Sequence, residues 1–284
     1  MPMFMRSGYG LSGWAGFVYF PRFVKENEDN ADPMSGHSKW STIKRKKALV
    51  DANRSKIWTK IIREITIASR DGGGDPAGNP RLALAIDNAK AANMPKDNIE
   101  RAIKKGTGDG KDGNAYQEIV YEGYGPGGIA YIVEATTDNP TRTVGEVRHL
   151  FSKFGGNLGT NGSVAYLFER KGIITLNMAG IDEDTLTLAA IEAGADDIRS
   201  EEDVVEVTCA FADLFAVRKS LEDAGFAIAS AEPQYVPATT VTATDEALAG
   251  NLKLMERLED LDDVANVFNN LEMDEAAISM AAGL

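Results

Sequence analysis

The chain has 284 residues, of which 43% are hydrophobic and 26% charged, and a formal net charge of −13 at pH 7. This is the composition of a globular protein with room for two or three domains, and no apolar run of about 18 residues is present to span a bilayer. The single cysteine, Cys209, excludes an intrachain disulfide and sits in the apolar stretch 204–211, the setting of a buried thiol in a reducing compartment.

The net charge conceals a partition. Residues 35–105 carry 16 Lys and Arg against 7 Asp and Glu, a net of +9, whereas residues 106–284 carry a net of −21. A local cationic excess of this kind meets polyanions, because each neutralised phosphate releases condensed counterions. Its bland counterpart is a helical domain kept soluble by lysines.

Residues 1–33 read as an extension outside the fold. Leu11 to Phe20 is apolar but short, preceded only by Arg6 and followed by Pro21-Arg22 without a small-residue cleavage site, so a secretory signal is not expected. An organellar presequence is the alternative, although Glu26, Glu28, Asp29 and Asp32 are unusual in one. Met34 reads as the functional start, and the residues before it are expected to be dispensable for folding.

Residues 34–110 are expected to form a basic helical domain. Ile57, Ile61, Ile65 and Ala68 recur at helical spacing within Asp51 to Arg70, and Gly72-Gly73-Gly74-Asp75-Pro76 ends that helix. Leu82, Ile86 and Ala89 repeat the pattern over Pro80 to Ala92. Pro95 and Asp97 open a third helix that buries Ile99, Ala102 and Ile103.

Beyond residue 113 the period shortens. Strands are expected over Ile119–Glu122, Ile129–Ala135 and Ser163–Glu169, with a helix over Arg142–Phe154. Gly172–Leu176, Asp182–Ala193, Asp196–Ser200, Val204–Cys209, Phe211–Ala224 and Phe226–Ala231 then read as β-α-β-β-α-β, the split βαβ unit. A strand over Tyr235–Thr242, a helix over Asp245–Leu258 and a strand over Asp263–Asn269 complete the earlier set. The expected class is α+β: a helical N-terminal domain, an α+β domain from residues 114–170 plus 234–284, and an inserted α+β domain at 171–233. A linear order of three domains is the rival arrangement.

The cations have an arrangement as well as a number. On a helical wheel Lys56, Lys60, Arg63 and Arg70 lie opposite the apolar stripe, with Ile67 among them. Lys39, Trp40 and the run Lys44-Arg45-Lys46-Lys47 come just ahead, so cations can clamp phosphates while Trp40 stacks on a base or packs on a neighbouring side chain. These ten residues are the candidate nucleic-acid-binding set, and a solvated helix face is the competing reading.

Other chemistries are poorly served. Gly123, Gly125 and Gly128 match GxGxxG but join two strands instead of opening a helix, which removes the helix-dipole phosphate site. The loop Gly155 to Gly162 reads as a sharp connection and lacks the Gly-Lys-Ser/Thr ending of a P-loop. His37 and His149 stand in different domains without paired cysteines or HExxH, so neither a metal nor a cofactor is expected. No nucleophile, base and orienting group occur together. The acidic groups Glu201-Glu202-Asp203 and Glu259-Asp260 with Asp262-Asp263 read as solvated faces or as receivers of basic ribosomal or transcription proteins.

Met34-Ser35-Gly36-His37-Ser38-Lys39-Trp40 with Ile43-Lys44 resembles the start of the YebC/PmpR family, which includes the mitochondrial translational activator of cytochrome c oxidase subunit I. Asn79-Pro80-Arg81-Leu82, Ala91 to Ile99, Arg101-Ala102-Ile103, Tyr121 to Gly128, Arg142-Thr143-Val144, Glu146-Val147-Arg148 and Gly155 to Gly159 extend the likeness nearly to the C-terminus. Ala83 stands where members often have a basic residue. The resemblance implies a cytoplasmic, non-enzymatic protein of three domains, classed as a DNA-binding transcriptional regulator. Translational regulation through ribosomal RNA is the alternative it implies, and a nucleotide-using enzyme is the more distant one. Expected partners are therefore DNA or ribosomal RNA, with ribosomal or transcription proteins on the acidic domains, and no membrane.

Overall fold

The first described helix, α1 (Arg54–Gly72), is joined to α2 (Pro80–Ala91) by a side chain that serves both. The computed structural model describes residue 40 and residues 54–108, 116–201 and 204–283. Asn79 accepts from the Leu82 amide at 3.1 Å, capping α2, and donates to the Ala68 and Gly73 carbonyls at the end of α1. Pro80, in the first turn of α2, has no amide to leave unpaired. Gly72 has no Cβ because one would lie 2.6 Å from Asn79 Nδ2. Helix α3 (Lys96–Thr107) completes the layer, with Asp97 in its first turn and Lys104 and Lys105 in its last, each complementing the helix dipole. Ile65, Ala68, Leu82, Ala85, Ala89, Met94, Ile99 and Ala102 form the core of these helices.

Two four-stranded antiparallel sheets follow. Sheet A has the order β3-β1-β2-β8, from β1 (Gln117–Tyr124), β2 (Ala130–Thr137), β3 (Asn157–Leu158) and β8 (Val264–Asn269). Sheet B has the order β5-β6-β4-β7, from β4 (Phe168–Asn177), β5 (Asp197–Glu201), β6 (Val204–Ala210) and β7 (Ile228–Pro237). Every strand of sheet B thus lies in sequence between β3 and β8. Helix α4 (Pro140–Lys153) follows sheet A's first hairpin, α5 (Glu183–Ala193) and α6 (Leu214–Asp223) belong with sheet B, and α7 (Asp245–Glu259) and α8 (Glu275–Gly283) flank β8. The fold is α+β, with N-terminal helices and two sheet-bearing regions, and residues 34–284 form one compact unit.

Strand β2 shows why sheet A is central. Ile129, Tyr131, Val133 and Ala135 enter a core shared with Val147, Phe151, Leu252 and Val267, whereas Ala130 and Ile132 meet Val164 and Phe268 on the other face. Both faces are covered, so apolar residues run without alternation from Ile129 to Val133. Sheet B packs Ile174, Leu176, Val205 and Val207 against Leu186, Val217 and Leu221. Leu84 of α2 joins that cluster and so ties the helical layer to sheet B.

The strand expected over Ser163–Glu169 is a 3₁₀ turn at Ala165–Leu167 that leads into β4, and β4 continues without a break through Gly172 to Asn177. Tyr235 belongs to β7 and pairs with Arg170 in sheet B, not with the strands begun at Ile129. Of the segment expected to follow, Val241 keeps a single parallel bridge to Leu271.

The glycines of the GxGxxG spacing form a hairpin corner. Gly127 and Gly128 adopt φ of 71° and 80°, and a Cβ on Gly125 would lie 2.3 Å from Asn251 Oδ1. Asn251 of α7 donates to Pro126 O at 2.9 Å and accepts from Tyr131 Oη at 3.0 Å, clamping the corner from below. The loop from Gly155 is likewise fastened by a side chain. Buried Glu122 accepts from the amides of Gly162, Val164 and Ala165 at 2.6, 2.8 and 2.8 Å.

Burial opposes the charge on Glu122, but these amides outweigh it and hold its carboxyl below the usual carboxylate range. Its contribution to stability is therefore present above the ordinary glutamate pKa and fades as pH falls through the lower folded value. Glu122→Gln is expected to cost about 1–3 kcal/mol at neutral pH. Urea denaturation of both proteins at pH 7 and pH 3 checks this, with the gap between them narrowing at the acidic pH.

Candidate nucleic-acid interface

The cationic side of α1 meets an anionic receiver at the end of α7. Lys56 Nζ lies 3.2 Å from Asp260 Oδ1, and Lys60 Nζ donates to the Glu259 carbonyl at 2.8 Å. Arg63 Nη1 lies 2.9 Å from Asp263 Oδ1 and donates to the Thr136 carbonyl at 3.1 Å and to that of Asp262. The spacing 56, 60, 63 keeps the three cations on one helical face, and the C-terminus of α7 adds the negative end of its dipole and the Glu259 carbonyl to the carboxylates. The solvent-facing surface expected on this side of α1 is instead a contact within the molecule. Ile67, the apolar residue among those cations, is fully buried, while Ile57 of the apolar stripe is 44% exposed.

Of the two roles expected for Trp40, stacking on a base or packing on a neighbour, the structure has packing. Trp40 is 6% exposed, packs into the sheet A core with Tyr131, Leu258 and Val264, and donates from Nε1 to Glu259 Oε1 at 3.1 Å. Its ring is used in packing and offers no face for stacking on a base. Arg70 bonds Asp71 at 2.8 Å and the Tyr116 carbonyl at 2.5 Å, at an exposed site. Lys39, Lys44, Arg45, Lys46 and Lys47 lie outside the described residues.

Asp263 organises this contact. At 4% exposure it receives Arg63, Arg142 at 2.6 Å, Thr143 Oγ1 at 2.7 Å and Thr137 Oγ1 at 3.1 Å. Burial pushes its pKa upward, but the hydroxyls and guanidinium groups prevail and hold it below the usual aspartate range.

Further ion pairs link the helical layer to the sheets. Arg81 of α2 bridges Glu64 at 2.8 Å and Glu118 of β1, which together hold its guanidinium charged against the cost of burial. Arg218 of α6 meets Asp87 of α2 at 2.7 Å. Between these contacts lies a cavity of about 510 Å³, walled by Ile61, Leu84, Val120, Phe211, Glu134 and Arg170 among others. Arg170 rests over the Phe211 ring at 4.2 Å, and burial raises the pKa of Glu134.

The cations left outward lie on α3, which the wheel of α1 did not reveal. Lys96, Arg101, Lys104 and Lys105 are exposed. Among the described residues Arg101 hydrogen-bonds only the Asp97 carbonyl and Asn98, and Lys105 lies over the Tyr116 ring at 4.8 Å. Lys104 has no carboxylate partner among the described residues. Their signal was present in the basic last turn of that helix, beside the buried Ile99 and Ala102.

Enzymatic groups are not gathered in the described region. Cys209 is buried and its thiol is pushed up to about 11, first by burial and then by Asp196 and Asp213, the state of an unreactive sulfur. Among the described residues no set of three His, Cys, Asp or Glu is placed to hold a metal ion, and no helix is long and apolar enough to cross a membrane.

Fold and interface define a class: an α+β protein in which a basic helical layer docks by ion pairs on an acidic body of two sheets. Models of the TACO1/YebC N-terminal domain and of the TACO1/YebC second and third domain match residues 38–109 and 116–271. The chain belongs to the TACO1/YebC family. A Geobacter sulfurreducens protein named probable transcriptional regulatory protein is 55% identical over 240 residues, covering 84% of this chain and 96% of its own. A Persephonella marina protein of the same name is 54% identical over 244 residues, covering 85% and 97%. The crystal structure of a conserved hypothetical protein from Aquifex aeolicus superposes with a TM-score of 0.75 at 48% identity, covering 79% of this chain and 93% of that one.

Asp263→Asn is expected to destabilise the protein by about 3 kcal/mol, because Arg63 and Arg142 lose a buried counter-charge. Chemical denaturation at neutral pH measures the loss. The difference from the parent shrinks as pH falls below the ordinary aspartate range, where the parent carboxylate is itself protonated.

Proposed function

We propose that this protein is a DNA-binding regulator of transcription that acts by binding and not by turnover. The observation that carries the reading is the charge partition: a +9 segment within a −13 chain, with Arg101, Lys104 and Lys105 of that segment facing outward on one helix. Phosphate contacts by exposed Lys and Arg supply sequence-independent affinity, which is what such a helix offers. The names of the bacterial relatives support the regulatory reading. The acidic body repels nucleic acid and so confines the contact to the helical end.

Fluorescence anisotropy of the full chain with duplex DNA and with structured RNA, over a range of salt, tests the proposal. If about five phosphates are engaged, log K falls against log salt with a slope of about −4.5. Arg101→Glu, Lys104→Glu and Lys105→Glu together are expected to remove about one unit of slope per residue and weaken binding evenly across sequences, with unchanged circular dichroism. Preference for structured RNA over duplex DNA would move the site of action to RNA. Absence of binding to either at low salt would overturn the reading.

A further inference from the structure

We propose that the acidic turn 259–263 is an internal stand-in for nucleic-acid phosphates, latching the cationic face of α1 until a polyanion displaces it. The inference rests on the DNA-binding reading and adds a closed and an open state to it. Lys56, Lys60 and Arg63 each engage an acceptor within five consecutive residues, 259–263. Carboxylates and helix-terminal carbonyls present to those cations what phosphate oxygens would present: charge-assisted acceptors in a row.

Three observations make this contact exchangeable. Asp263 keeps Arg142, Thr137 and Thr143 when Arg63 departs, so the anion left behind stays coordinated. Arg63 Nε is buried without a hydrogen-bond partner in the closed arrangement, a donor that a phosphate oxygen can satisfy. The boundary between the helical layer and the sheets holds a cavity of about 510 Å³ and is bridged largely by charged pairs, with Lys56 and Asp260 42% and 36% exposed. An incompletely filled boundary bridged by partly exposed ion pairs separates at lower cost than a packed core. Trp40 is held in the sheet A core and bonded to Glu259, a contact independent of the three cations of α1.

The consequence is competition. Phosphates first meet the outward cations of α3, and the cations of α1 join once the turn is displaced, so affinity reflects the equilibrium between closed and open states.

The test uses the full chain with spin labels at Ala91→Cys and Lys253→Cys, both exposed, while native Cys209 is buried. Asp260→Lys sets a cation against Lys56. Glu246→Lys makes the same charge change at an exposed site in the first turn of α7, with no ion pair to α1. Duplex DNA is expected to add a longer inter-label distance by double electron–electron resonance, and Asp260→Lys to add it without DNA. Asp260→Lys is also expected to bind DNA about twofold to fivefold more tightly than Glu246→Lys, the scale of one exposed ion pair. Equal affinities of the two variants, or an unchanged distance when DNA is bound, would overturn the latch and leave the binding reading in place. Failure of the parent to bind DNA would overturn the binding reading, whereas an unchanged distance in DNA-free Asp260→Lys would overturn the latch separately.

Discussion

A buried carboxylate demands partners, and Asp263 obtains them from elements far apart in sequence. Thr137 ends β2, Arg142 and Thr143 belong to the first turn of α4, and Arg63 comes from α1, while the Asp263 carbonyl accepts the Thr136 amide at 2.7 Å just before β8 begins. The sheet edge, the entry to α4 and the position of the helical layer are therefore set by one anion. Apolar contacts supply the bulk of the folding energy, but they tolerate sliding. The directional demand of Asp263 does not.

Much of the fold could be read from local chemistry. The helices α1 to α3 lie within a few residues of their expected bounds because their signals are local: apolar periodicity, Asn79-Pro80, Pro95 and the glycines after Asp71. Asn139-Pro140 repeats the Asn-Pro cap at α4, where Asn139 accepts the Arg142 amide. What failed was decided at long range. The pairing of Phe168 with Pro237 makes β4 and β7 long continuous strands, and nothing near Ser163 or Thr242 announces that partner. Helix α8, rich in alanine, was not anticipated either, although its Ala277 and Ala281 are buried in the sheet A core.

The candidate interface was legible as charge and illegible as placement. A wheel separates cations from apolar residues, but it cannot say whether the polar side meets water, phosphate or another part of the chain. Ile67 among the cations of α1 was the residue that hinted at cover on both sides. By composition Glu259-Asp260 with Asp262-Asp263 suit a solvated face or a receiver for a basic partner, and the cations that Asp260 and Asp263 meet lie in the same molecule. Opposite charges placed on one chain have this property: they are complementary to each other before they are complementary to anything else. The partition seen in the sequence thus serves the cohesion of the helical layer with the sheets.

The position of β8 also has a temporal side. Strand β2 lies between β1 and β8, so its second edge stays unpaired until residues 264–269 have been synthesised, whereas every strand of sheet B precedes them in the chain. On a ribosome delivering the chain from its N-terminus, sheet B can close while sheet A still waits for its last strand. Strand β2, the most buried strand among the described residues, is thereby among the last to be completed, and its exposed edge during that interval makes the nascent chain depend on prompt delivery of residues 264–269.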